Sequence, residues 1–244
     1  MAQFLIQIAG QTGHITSLFE STRDYCRKYL TENTPDFALT IIREDLAFEQ
    51  EALRLEALEE GIRVRTFTDP FLERTAIQRK FAEFLFDRNV LMTHGSTVAV
   101  DGKAYLFTAK CGTGKSTHTR LWRQAFPERA VMVNDDKPFL KITEDSILAC
   151  GSPWSGKHGL DSNLSVPLQG ICILQRGKEN EIHPISPEEA LPMLLHQSYC
   201  PLAPEKRIRF EALVKELAER TPLWHMRCNM DVEAAEVSHK TMRE

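Results

Sequence analysis

The run AYLFTAKCGTGKSTHTRLW, residues 104–122, narrows the possible folds more than any other part of the chain. An apolar segment of strand length leads into two glycines, a lysine and two hydroxyls, and then into a helix-like stretch. Glycine permits the positive φ angles and close backbone approach that a phosphate-cradling turn needs. The following helix N-terminus adds its dipole, Lys115 a movable positive charge, and Ser116 a hydroxyl that can ligate Mg²⁺. The expected nucleotide-contacting segment is therefore Cys111, Gly112, Thr113, Gly114, Lys115, Ser116 and Thr117. Against the full G-x-x-x-x-G-K-[ST] pattern, the first position is Ala109, which fits if its φ is negative. A strand–loop–helix of this kind implies an α/β fold.

The flanking text supplies further candidates. THGSTVAVDGKAYLFTAK (93–110) reads as two strands around Asp101-Gly102, a two-residue hairpin turn. STHTRLWRQAF reads as a helix, and AVMVNDDKPFL (130–140) as a strand carrying paired acids. One of Asp135 and Asp136 can hold Mg²⁺ while the other takes a proton from an attacking hydroxyl. Sequence alone does not assign the two roles. His94-Gly95, just ahead of the hairpin, is a third candidate element. GSPWSGKHGLDSN (151–163) is a loop carrying Trp154, Lys157, His158 and Asn163, and Lys157 can neutralise charge on a transferring phosphoryl group.

Elsewhere the chain alternates short elements. FLIQIAG reads as a strand, residues 17–30 as a helix and DFALTIIRE as a second strand. A helix over 45–61 carries Leu46, Leu53 and Leu58 and stops at Gly61. A further helix over 69–89 has Asp69 as N-cap, Pro70 at its first position, and a buried stripe of Leu72, Ile77, Phe81, Phe84 and Leu85. Downstream, KITEDSILACGSPW reads as a strand pair and LQGICILQRG as a buried strand. Helices are expected at 186–200 and 204–220, with a strand and a helix over 222–244. The expected boundary separates a small N-terminal α/β region, 1–90, from a nucleotide-binding core, 91–244.

Composition excludes several functional classes. A formal net charge of −4 gives no basic excess for a nucleic-acid backbone. Apolar runs are too short to span a bilayer, and MAQFLIQIAG lacks the marks of a secretory leader. Six scattered cysteines, Cys26, Cys111, Cys150, Cys172, Cys200 and Cys228, contain no C-x-x-C pair and suit reduced thiols in a cytoplasm. His196 and Cys200 have ligand-like spacing but no second pair, so a packed helix face is expected there.

HGSTVAVDGKAYLFTAKCGTGKST followed by VNDDKP resembles the catalytic domain of HPr kinase/phosphorylase, whose nucleotide-binding core also occurs in phosphoenolpyruvate carboxykinases. The pieces GKSTHTRLW, NDDKP and PWxGK resemble those of small HPr-kinase-related proteins encoded near bacterial peptide-modification genes. The resemblance is good over residues 93–140 and looser over the rest of the core. It implies an HPr-kinase/PEP-carboxykinase-like P-loop core using ATP and Mg²⁺. By position, Lys115 would hold the β- and γ-phosphates, Ser116 and Asp135 the metal, and His94 would sit near the γ-phosphate. Asp136 or its neighbour would be the base for a seryl hydroxyl in a peptide, a protein or free serine. Homo-oligomers are common in such families. The family's Glu-x-Arg-Gly-x-Gly signature has its nearest text in LQRGKEN (174–180), without the glycine spacing. This points away from the reverse phosphorylase reaction and from HPr as acceptor. A nucleotide-binding regulatory partner of a peptide-modifying system, without phosphotransfer, is the alternative.

Overall fold

The computed structural model describes residues 1–59, 61 and 63–243. The chain divides into two compact units, Met1–Phe84 and Leu85–Glu244. Both are mixed α/β.

In the first unit, β1 (Ala2–Ile8) and β2 (Gln11–Ser17) form an antiparallel hairpin, and β3 (Phe37–Thr40) pairs parallel with β2. Sequence reasoning expected one strand and then a long helix here. The chain instead reverses at Ala9-Gly10, whose φ values of 52° and 80° are those of a tight primed turn. An alanine in that left-handed conformation costs about 1–2 kcal/mol, which is why the turn was not readable. The expected helix over 17–30 shrinks to α1 (Glu20–Tyr25) and a 3₁₀ turn. The buried carboxylate of Glu73 caps this stretch by accepting from the backbone N–H of Leu18 and Phe19 and from the Thr22 hydroxyl.

Two longer helices complete the unit, α2 (Arg43–Glu59) and α3 (Asp69–Phe86), the latter running two residues into the second unit. On α2, Leu46 is buried, Leu53 half-buried and Leu58 exposed. Five residues turn the helix by about 500°, so Leu58 leaves the face that Leu53 occupies. Glu49 and Ala57 are buried instead, and Glu49 is held by Arg79 at 2.6 Å. Glu60, at the end of the expected helix, lies outside the described residues. On α3, the first-turn N–H groups of Phe71 and Leu72 donate to Thr68 O, so Thr68 takes the cap position expected for Asp69. Asp69 pairs with Arg43 at 2.6 Å. Leu72, Ile77, Phe81 and Leu85 are buried as expected, and Phe84 is half-buried and stacked on Phe37.

The second unit is built on one curled sheet of nine strands, β4 (Val90–Met92), β5 (Ser96–Val100), β6 (Lys103–Thr108), β7 (Ala130–Asn134), β8 (Phe139–Ile142), β9 (Ile147–Cys150), β10 (Ser165–Arg176), β11 (Glu181–Pro184) and β12 (Leu223–Cys228). The curl comes from β10, a twelve-residue strand. Its first residues pair antiparallel with β9, in the order β4-β8-β9-β10. After a register shift between Leu168 and Gly170 it lies parallel between β6 and β12, in the order β7-β5-β6-β10-β12-β11. The β5–β6 hairpin turns at Asp101-Gly102, as its sequence predicts. The single strand expected over 130–140 is broken into β7 and β8, which join different parts of the sheet, and β4 and β11 were not expected.

Four helices cover the sheet: α4 (Lys115–Ala125), α5 (Pro187–Gln197), α6 (Arg207–Arg220) and α7 (Glu233–Met242). Alternation along the central strands sorts the core into two layers. Leu106, Ile171 and Ile173 pack with Leu194, Phe210 and Leu217 of α5 and α6. Tyr105, Phe107, Cys172 and Leu174 pack with Leu121 and Trp122 of α4 and Ala235 and Met242 of α7. α5 starts with a capping box between Ser186 and Glu189. Glu244, at the end of the expected last helix, lies outside the described residues. Among the described residues no helix is long and apolar enough to cross a membrane.

Candidate functional site

The glycine-rich segment leaves the C-terminal end of β6, a strand buried in mid-sheet, and enters α4. Gly112 and Gly114 adopt φ of 74° and 124°. Ala109 is buried and is not among the positive-φ residues, so its side chain is no obstacle. Gly114 precedes α4 without a side-chain cap, which leaves the first-turn N–H groups open to an anion. Lys115 is buried and folds back, its Nζ donating to Ala109 O at 3.0 Å. Burial pulls Lys115 below the usual lysine range, opposed by the charges of Cys111, Asp136 and Asp135. Ser116 and Thr117 follow, half-buried in the same turn, while Cys111 is exposed at the loop tip.

The acids sit beside this loop because of Asn134, the fully buried last residue of β7. Its Oδ1 accepts from the N–H of Asp136 at 2.8 Å and of Lys137 at 2.6 Å, forming a side-chain-capped turn. Its Nδ2 donates to Ser152 O and Oγ at 2.8 and 3.0 Å. One amide thus fixes the acid pair and the 151–163 loop together. Asp135 is buried, and its Oδ1 accepts from Ser96 Oγ at 2.6 Å. That hydroxyl is also 2.7 Å from Thr119 Oγ1 on α4. The chain Asp135–Ser96–Thr119 therefore ties the first acid to the helix that carries the loop.

Asp136 meets His94, with Nε2 and Oδ1 3.2 Å apart. Burial alone would raise Asp136, but the His94 hydrogen bond and the charges of Lys137, His94 and Lys115 outweigh it and hold the carboxyl below its ordinary value. Burial holds His94 below its usual value, with Lys137 and Lys115 reinforcing and Asp136 opposing. At neutral pH the pair is a neutral imidazole donating to a carboxylate. The backbone is pinned as closely: Gly95 N donates to Asp136 O at 3.0 Å, and Thr108 Oγ1 to His94 O at 2.9 Å. A Cβ on Gly95 would stand 2.5 Å from Leu106 Cδ1 and 3.0 Å from Phe107 O, so this close crossing over β6 requires glycine.

The 151–163 loop lies against the acids. A Cβ on Gly156 would fall 3.2 Å from Asp136 Cβ. Lys157 and His158 follow it, exposed on a 3₁₀ turn, and Asn163 is exposed. Trp154 is buried and packs near Phe139, which makes it a support for the loop. The structure thus gathers Lys115, Asp135, Asp136 and His94, and sets Lys157 on the neighbouring turn.

Sequence reasoning missed Asn134, Ser96 and Thr119, and gave no role to Arg176, which it met only within LQRGKEN. Arg176, the last residue of β10, donates from Nη2 to Gly112 O and from Nε to Thr113 O at 3.3 Å. It missed His118 as well, a buried residue of the first α4 turn. His118 Nε2 lies 3.1 Å from Ser238 Oγ of α7 and 3.2 Å from Trp122 Nε1, and that indole also donates to Ser238 Oγ at 2.9 Å. Burial pushes His118 down to about 3.

Among the described residues no cluster of three or more His, Cys, Asp or Glu side chains could hold a metal by itself. The donors present suit Mg²⁺, which takes one or two protein oxygens and completes its shell with phosphate and water. Ser116 supplies a hydroxyl at the loop. Asp135 supplies a carboxylate whose Oδ2 receives no hydrogen bond from the described residues.

No family model matches the chain, and no curated protein matches it. Among solved structures it is similar to the Hpr(Ser) kinase/phosphatase from Coxiella burnetii, at 13% identity and a TM-score of 0.36, over 63% of this chain and 99% of that one. The relation is structural and distant.

Proposed function

We propose that this chain is a kinase that transfers the γ-phosphoryl group of a Mg²⁺-bound nucleoside triphosphate, ATP in the first instance, to a hydroxyl. The favoured acceptor is a seryl side chain of a peptide or protein. One observation carries the reading: a glycine loop at a helix start whose buried lysine feels the charges of Asp136 and Asp135, with Asp136 paired to His94. A structural turn has no use for a desolvated ammonium beside two acids, whereas phosphoryl transfer needs those charges there.

In this reading the loop N–H groups and Lys115 bind the polyphosphate, the ammonium exchanging the Ala109 carbonyl for phosphate oxygens. Ser116 and Asp135 would hold Mg²⁺, which neutralises the charge of the transferring group. Asp136 orients the acceptor hydroxyl and takes its proton as the new P–O bond forms and the bond to the leaving diphosphate breaks. Neutral His94 keeps the carboxylate aimed. Lys157, on the turn beside Asp136, would close the site over the substrate.

The test is transfer from γ-labelled ATP with Mg²⁺ into peptide, protein and small-molecule fractions of a cell extract. Wild type should label one fraction. Lys115→Ala should lose about 10²–10³-fold in rate, the usual scale for removing one transition-state donor. Asp136→Asn should abolish transfer yet keep nucleotide binding. Transfer at near-wild-type rates in both variants would refute the assignment.

A further inference from the structure

Arg176 has no part in the chemistry proposed above, yet it touches the loop. It stands on the last rung of β10, paired with Cys228 of β12, and the next residue anchors the strand end by donating Gly177 N to Cys228 O at 2.8 Å. The pairing of β10 with β6 ends at Ile173 and Thr108, three residues earlier. Three strand residues rise about 10 Å, which carries Arg176 to the level of the loop tip beyond Thr108. Its side chain shares a strand face with Cys172 and Leu174, the face that packs on α4. There the guanidinium forks onto two successive loop carbonyls, those of Gly112 and Thr113.

A planar trans peptide points its N–H opposite to its carbonyl. Drawing the carbonyls of Gly112 and Thr113 toward Arg176 turns the N–H groups of Thr113 and Gly114 the other way. Thr113 N–H closes a loop turn onto Lys110 O at 3.3 Å. Gly114 N–H donates to none of the described residues and remains for an anion. We propose that Arg176 is a positioning residue that grips the phosphate loop from its carbonyl side and so holds the loop, and the Gly114 amide in it, ready for a nucleotide's polyphosphate. The proposal rests on the reading of that loop as a nucleotide site. A guanidinium suits this task because its rigid fork spans two acceptors, which a single ammonium does not.

The experiment titrates Mg²⁺ and fluorescently labelled ADP into the full-length wild type, Arg176→Ala and Arg176→Lys. Each titration is run with and without millimolar free guanidinium, and the thermal midpoint of every variant is measured. Wild type should bind. Arg176→Ala should bind about tenfold more weakly, the equivalent of one charge-assisted hydrogen bond, at a midpoint close to wild type. Guanidinium should restore most of the loss, and Arg176→Lys should remain weak. Undiminished binding by Arg176→Ala, or a loss that guanidinium leaves unrepaired, overturns the role given to Arg176 while leaving the nucleotide site standing. Absence of binding by wild type removes both.

Discussion

Acid should loosen α4 from α7 through His118. The folded protein holds this imidazole neutral down to about 3, against an ordinary value of 6.5, because it is buried between Phe107, Trp122 and Ser238. The unfolded chain takes up the proton below 6.5 and the folded chain does not, so stability is flat above that value and falls as pH drops from 6.5 toward 3. At about pH 5 the difference amounts to about 2 kcal/mol, with a slope near 1.4 kcal/mol per pH unit below that. For a unit of this size, 2 kcal/mol corresponds to about 4–8 °C in thermal midpoint. His94, His225 and His239 are also held below their usual values and add to the acid sensitivity. They are common to wild type and variant and cancel in the comparison. The assay is therefore chemical denaturation of wild type and His118→Gln from neutral pH to about pH 4. The variant should be the less stable protein at neutral pH, and the gap should close by about 2 kcal/mol by pH 5. A gap that stays constant with pH would refute the burial of a neutral His118.

Three further outcomes follow from the site. Gly95→Ala should cost about 1–3 kcal/mol by driving a methyl into Leu106 and the Phe107 carbonyl, and should lower transfer by displacing His94; denaturation and transfer assays read both. Asn134→Ala should cost about 1–3 kcal/mol, since it orphans the N–H of Asp136, leaves that of Lys137 with Trp154 O alone and removes the amide's bonds to Ser152, with a loss of transfer that added Mg²⁺ does not recover. The rate should keep its value well below neutral pH and fall only as His94 takes a proton, below its ordinary 6.5; a pH–rate profile with an acid limb above 6.5 would contradict the neutral imidazole.

What the sequence disclosed, and what it hid, divides along physical lines. The loop's shape was legible because a turn with two positive-φ positions just ahead of a helix start demands glycines at fixed spacing. The Asp101-Gly102 turn was legible for the same reason. The Ala9-Gly10 turn was not, because alanine occupies a conformation it does not advertise. Leu58 looked like a core residue because leucine often is, but helical geometry carries it to solvent. Asp135 and Asp136 stood out as a charged pair at a strand end, while Asn134 beside them did not, although it sets their positions. Its work consists of satisfying backbone N–H groups that exist only once β7 and β8 have parted into different regions of the sheet. Arg176 is hidden for a related reason. It lies about sixty residues from the loop it grips, and only the parallel pairing of β10 with β6 makes the two neighbours. The residues proposed to react are therefore written locally, and those that hold them are written in the topology. For this fold, a substitution at Asn134 or Arg176 should weaken the site as surely as one within the loop, with every recognisable motif left intact.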